Sequence, residues 1–499
     1  MDDRSHVRGD RPSRTPGASG ALGAAGSAGF APRSRTLRFF ALGLGLVLAS
    51  VCSSCSDDED TPLGDDFTPP SEVSDLSILR SSTTSVTLAW TAPGDDEDSG
   101  RARSYELRFS RERLDESNWA SAEPTPAMPT PSQPGETDSV VVGLGSSGTV
   151  YHFAIRTSDE SANRSGLSNQ VVGPNLWEPL GEGLDSWVLA LVEFEGDLIA
   201  GGAFTTAGGS PASRVARWDG GAWSSLGDGF DDTVLALAVY DGSLVAGGRF
   251  RFSGGVAVSG VARWNGSSWV PLGNGIDGTV NTLHLHDGAL VAGGRFATEE
   301  GAGARHVAQW DGTTWRGIGL GIEDRPPYPG VYALETWNGL LVAGGGFGVS
   351  TDPFATNLAA WDGEEWFRIG SGTDGPVYGL ATFQGDLVAG GDFETPGLSL
   401  ARFAGTETFG VGGGVTPGVW RLYSAGDVLV VGGEFAGTRD ALGANLSSWD
   451  GARWRPLGPG TDASVQVMAT YRGELVVGGE FTRIGNRSCP RIARWATGE

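Results

Sequence analysis

The chain has no lysine; its 35 basic residues are all arginine. Schiff-base and lysine-dependent nucleophilic chemistry therefore have no starting group. Cysteine is nearly absent as well. Of Cys52, Cys55 and Cys489, two lie beside an N-terminal apolar run, so the folded part keeps one and a disulfide framework is excluded. There are only five histidines. His6 belongs to the N-terminal extension and His152 to a first β-rich unit. His286 fills a slot held elsewhere by Phe194, Tyr240, Trp337, Phe383 and Tyr471, which reads as core. His284 and His306 have no Ser, Cys or carboxylate partner recognisable by spacing, so no nucleophilic relay is legible. No calcium-loop spacing of acids is present, and none of the Cys and His spacings holds a metal. A net charge of −25 repels phosphate backbones and argues against a nucleic-acid partner. The string GLGSSG (143–148) formally matches a dinucleotide fingerprint, but no helix follows it.

The N-terminus carries an address. Residues 1–36 are rich in Gly, Ala, Ser and Arg without periodicity. Arg33, Arg35 and Arg38 then lead into FFALGLGLVLAS (39–50) and VCSSC. A basic stretch before about a dozen apolar residues has the form of a secretory signal and is short for a membrane span. With cysteine at the cleavage position, it resembles a bacterial lipoprotein signal. The resemblance implies lipidation of Cys55, preceded by Ser53-Ser54, with Cys52 as the alternative. The expected localisation is export and lipid anchoring to the cell envelope, at the outer membrane or surface. Residues 1–55 are assigned to this extension and signal. The acidic, proline-bearing stretch 56–68 reads as an extended tether.

Residues 69–174 alternate with the period of strands, Val86, Leu88 and Trp90 falling on one face. Strand-like runs follow at 104–110, 139–144 and 149–165. Leading Pro69-Pro70, Trp90, Tyr105 and Leu144 ahead of Tyr151-x-Phe153-x-Ile155 resemble a fibronectin type III domain. That likeness implies a β-sandwich in which Trp90 and the late Tyr are structural.

From 175 to 499 one small unit repeats. LVAGGRF (244–250) returns as near-copies at 198–204, 290–296, 341–347, 387–393, 429–435 and 475–481. Between copies stand VARWDG and W-x-x-L-G strings. Asp241-Gly242 and Asn265-Gly266 are two-residue hairpin signals, dividing the second copy into strands at 234–240, 243–250, 261–264 and 269–273. The Gly-Gly pairs begin at 201, 247, 293, 344, 390, 432 and 478, and four short strands at that spacing are the pattern of a propeller blade. The unit resembles a kelch-type repeat, departing from it in the Phe after each pair and in VARWDG. The expected fold is all-β: a fibronectin type III-like sandwich followed by a seven-bladed β-propeller. The orphan strand LWEPLGEG (176–183) is expected to complete the last blade, closing the ring with both termini. In the fifth copy the Trp positions read as Phe403 and Phe409, and this copy is expected to be the least stable.

Regularity also bears on function. The Gly-Gly pairs and paired tryptophans recur in nearly every copy and read as packing between blades rather than sugar platforms. Variation concentrates on one rim, in loops 205–214, 251–260, 297–306, 348–357, 394–399, 436–445 and 482–491, the usual layout of a binding surface. The same rim repeats an acid: Asp185, Asp231, Asp277, Asp324, Asp374 and Asp462. These are candidates for an acidic ring, set against Asp capping its own turn. Phe252 and Phe354 are candidate rim aromatics, set against packing within their own loops. The expectation is a monomeric, non-enzymatic envelope protein without cofactor that binds a protein or polysaccharide on this rim. A glycan hydrolase or lyase and a structural spacer are the alternatives, distinguished by a carboxylate pair that breaks the repeat symmetry.

Overall fold

A computed structural model describes residues 66–496, except 98, 146–148, 298–304, 320–321, 351, 406 and 439–442. The signal, Cys52 and Cys55 and most of the tether lie outside the described residues. The described chain is all-β. Its only helical piece among those residues is the single 3-10 turn Trp119–Ser121, and its strand ladders are antiparallel.

Two sheets form first. Ser77–Ser81, Ser85–Thr91 and Thr137–Gly143 make one, and Glu123–Pro124, Ser104–Ser110, Tyr151–Ser158 and Val171–Gly173 make the other. They share a core in which Val86, Leu88 and Trp90 meet Leu107, Phe153 and Ile155. Trp90 stands edge-on to Tyr105 at 5.0 Å, a favoured geometry for two rings.

Seven sheets of the repeated unit follow. The second is built from Val234–Tyr240, Ser243–Gly248, Val261–Trp264 and Trp269–Pro271. Asp241 and Gly242 take φ of 49° and 66°, so the hairpin turns where an Asx-Gly pair permits positive φ. The fourth sheet gains an extra strand, Ile322–Asp324. In the seventh, Ile492–Trp495 pairs with Trp177–Pro179 from the start of the repeat region, Trp495 opposite Trp177.

Neighbouring sheets meet through the repeated residues. A Cβ on Gly201 would lie 2.5 Å from Val234 of the second sheet, and one on Gly478 would lie 2.7 Å from Val188 of the first. The second glycine of each pair has even less room: a Cβ on Gly248 would lie 2.2 Å from the Thr233 carbonyl oxygen. Only hydrogen fits. The Phe two residues further on is buried in every repeat, from Phe204 to Phe481. On the outer strands, the Trp223, Trp269, Trp315, Trp366, Trp454 and Trp177 indoles each donate to a carbonyl of the preceding sheet, at 2.7–3.2 Å. The strand that leads into each Gly-Gly hairpin, termed inner (Val188–Phe194 in the first sheet, Val234–Tyr240 in the second), packs on its counterpart in the next sheet, and that of the seventh packs on that of the first.

The fifth sheet departs from this pattern. Phe403 pairs with Thr408, not Phe409, so a threonine occupies the slot of the bonded tryptophan. Phe409 falls one place beyond and is 48% exposed.

Candidate functional site

The recurring acids divide into two groups. Asp185 Oδ1 accepts the backbone N–H groups of Thr205 and Thr206, and its Oδ2 accepts the Thr205 hydroxyl. Asp231, Asp374 and Asp462 accept the equivalent pair of N–H groups twenty and twenty-one residues downstream. These carboxylates therefore bracket a loop in the middle of the same repeat, rather than capping their own turn. Burial raises the Asp185 pKa, but the bonds from Thr205 and Thr206 outweigh it and hold it below the ordinary carboxylate value. The other two differ. Asp277 is exposed and pairs with Arg251 at 3.1 Å. Asp324 lies 3.6 Å from Arg305 and 3.2 Å from the Nε2 of buried His306. Nδ1 of His306 faces the Gly294 carbonyl at 3.1 Å, so this pair has no hydroxyl or thiol to activate.

Phe252 and Phe354 are 48% and 71% exposed. Phe252 sits in a two-strand hairpin with Val256–Ala257, and Phe354 in the strand Asp352–Trp361. The structure does not bring them together with the acids around one cavity. Cys489 is buried, and burial pushes its thiol up to about 11, which leaves it inert at neutral pH. Among the described residues no cluster of three or more His, Cys, Asp or Glu could hold a metal.

A different set of residues does converge. Each inner strand carries one β-bulge where the ladder slips past a residue, between Val188 and Ala190, Val234 and Ala236, and so on to Val465 and Val467. The slipped residues are Leu189, Leu235, Asn281, Tyr332, Tyr378, Trp420 and Gln466. A bulge re-aims a side chain out of the ladder, and here all seven line one cavity of about 450 Å³, joined by Arg249, Tyr328, Asp392 and Arg421. That volume lies within the common range of ligand sites.

The lining is uneven. Leu189 and Leu235 are aliphatic, whereas Tyr332, Tyr378 and Trp420 form an aromatic fan. Tyr332 and Tyr378 have ring centroids 5.3 Å apart, and Tyr378 and Trp420 are 4.6 Å apart. Burial first, then Tyr332 and Asp392, pushes the Tyr378 hydroxyl above its ordinary pKa, so it stays protonated. The Trp420 indole N–H is buried without a hydrogen-bond partner, at a typical cost of about 1–3 kcal/mol. Arg421 Nε donates to the Gln466 carbonyl at 3.0 Å. Burial alone lowers its pKa, and no carboxylate offsets it.

The bulge position was missed in reading the sequence, yet a signal exists. It stands twelve residues ahead of the first glycine of every pair, 189 against 201 and 466 against 478. Among flanking Val and mostly small residues, it alone ranges from Leu to Trp.

No family model matches the chain, and no curated protein matches it. Among solved structures, the computationally designed Ika4 protein is 21% identical. That match covers 38% of this chain and 98% of the designed one, with a TM-score of 0.24. The FN1–FN3 domains of chicken CNTN1 are 10% identical, covering 68% of this chain and 96% of theirs, with a TM-score of 0.17. At these scores neither likeness fixes how the sheets are arranged.

Proposed function

We propose that the seven sheets (175–499) are kelch-like blades closed into a seven-bladed propeller, carried by a fibronectin type III-like sandwich (69–174), and that the propeller is a binding module. Closure is supported by the cyclic succession of inner strands and by the Gly478–Val188 and Trp177–Trp495 contacts. The protein is exported and lipid-anchored to the envelope through Cys55, or Cys52. Its ligand is a saccharide held in the cavity at the bulges.

One observation carries the binding reading: the bulged position of each inner strand, filled by five different residue types across the seven sheets, faces the same cavity, and it is aromatic on one side only. A scaffold optimised for packing would repeat the Leu of the first two sheets. A glycan hydrolase is less well supported, because the cavity lining includes one carboxylate, Asp392, where such chemistry generally uses two.

Replacing Tyr332, Tyr378 and Trp420 together by Leu tests the reading. A binding role predicts a melting temperature equal to or above that of the parent. A drop of the size seen on removing a core aromatic would assign the fan to stability and overturn it.

A further inference from the structure

Resting on the binding reading above, we infer that the cavity takes a saccharide bearing a carboxylate, with its ring against the Trp420–Tyr378 fan and its carboxylate on the Arg421 guanidinium. Arg421 stands directly after its bulge, where the other six sheets place Ala190, Ala236, Thr282, Ala333, Gly379 and Val467. Nothing in the repeat requires an arginine there. It reaches over the neighbouring bulge to the Gln466 carbonyl, and a partly buried cation with no ion pair among the described residues is costly unless something pairs with it. A second guanidinium, Arg249, lines the same cavity, giving two cations against Asp392 in a chain of net charge −25. The local sign is thus opposite to the global one. A planar guanidinium matches a carboxylate in two parallel hydrogen bonds.

The remaining polar groups are matched by hydroxyls, which both donate and accept. Asn281 spends its Nδ2 on the Val331 carbonyl at 2.9 Å, and Gln466 spends its Nε2 on Ser464 Oγ at 3.0 Å. The two amide oxygens and the Asp392 carboxylate are three acceptor groups in a lining that also holds the Tyr378 hydroxyl, the Trp420 indole N–H and two guanidiniums as donors. A polyol supplies O–H groups to all three. A simple aliphatic or aromatic acid would leave them unpaired, which costs affinity. Ring, hydroxyls and one carboxylate together describe a uronic or similar acidic sugar.

The test uses the full chain on an array of oligosaccharides carrying uronate or other sugar carboxylates, each beside the same glycan with its carboxyl reduced to the alcohol. Hits are then titrated by calorimetry. Acidic glycans are expected to bind at least about tenfold more tightly than their reduced partners, and Arg421→Met should abolish the difference. Should Arg421→Met fail to fold, Arg249→Ala reports instead, since Ala203 fills that place in the first sheet; it should lower affinity for the acidic glycan selectively. Equal binding of acidic and reduced forms would overturn the carboxylate inference and leave the saccharide reading standing. Binding to none of the arrayed glycans would overturn both.

Discussion

The outer strands and the bulges of the inner strands obey opposite rules. Six of seven outer strands begin with tryptophan, and each of those indoles donates to the sheet before it. The inner bulges hold five side-chain types, only Leu and Tyr occurring twice, and their tryptophan, Trp420, has a buried N–H without a partner. Tryptophan is therefore bonded at the repeated start of the outer strand and unbonded at the one bulge that carries it. Repetition marks positions set by contact between sheets, and on the proposed binding reading its loss at the bulges leaves positions open to a ligand.

The strongest way to break this contrast is at the join. Trp177→Ala removes both the indole bond to Leu457 and the contact with Trp495. It should cost about 3–5 kcal/mol in denaturant unfolding; a loss below 1 kcal/mol, on the order of a surface change, would refute the closing role. Gly248→Ala comes next, because the new Cβ meets the Thr233 carbonyl oxygen of its own sheet. About 1–3 kcal/mol of destabilisation is expected for such overpacking, read as an earlier urea midpoint with unchanged slope.

Acid should act on two positions outside the repeat pattern. Burial, with a smaller contribution from His286, holds His284 at about 4 instead of 6.5. Burial, then Arg113, does the same to His152 in the first two-sheet unit. Because the unfolded chain binds these protons first, stability is fully present above pH 6.5 and falls as pH drops towards 4. His284→Gln should flatten part of that slope in denaturant titrations at several pH values. An unchanged slope would remove His284 from the account.

The smallest effect sharpens the comparison in the opposite direction. Thr408→Trp gives the fifth sheet the indole it lacks and should add about 1 kcal/mol. Phe409→Trp, one place along on an exposed side chain, should add nothing measurable. A gain from the second variant and none from the first would restore the register read from sequence.

That register shows where sequence reading stopped. Counting five residues from Phe403, as from Trp264 to Trp269, reaches Thr408; seeking an aromatic instead led to Phe409. The all-β character, the hairpin at Asp241-Gly242 and the packing role of the Gly-Gly pairs were all legible, since each depends on local φ preference or on a repeat that is its own evidence. Own-turn capping was the expectation set against an acidic ring for the recurring acids, but Asp185 reaches twenty residues forward to Thr205.

By itself, then, the sequence determined the repeating unit and most of the side chains that sheets press against one another. Tertiary structure alone decided that seven bulged residues share one cavity, and that Arg421 lies there without an ion-paired carboxylate among the described residues. A bulge exists only as a slip between paired strands, and convergence exists only between sheets, so neither is a property of any one stretch of chain.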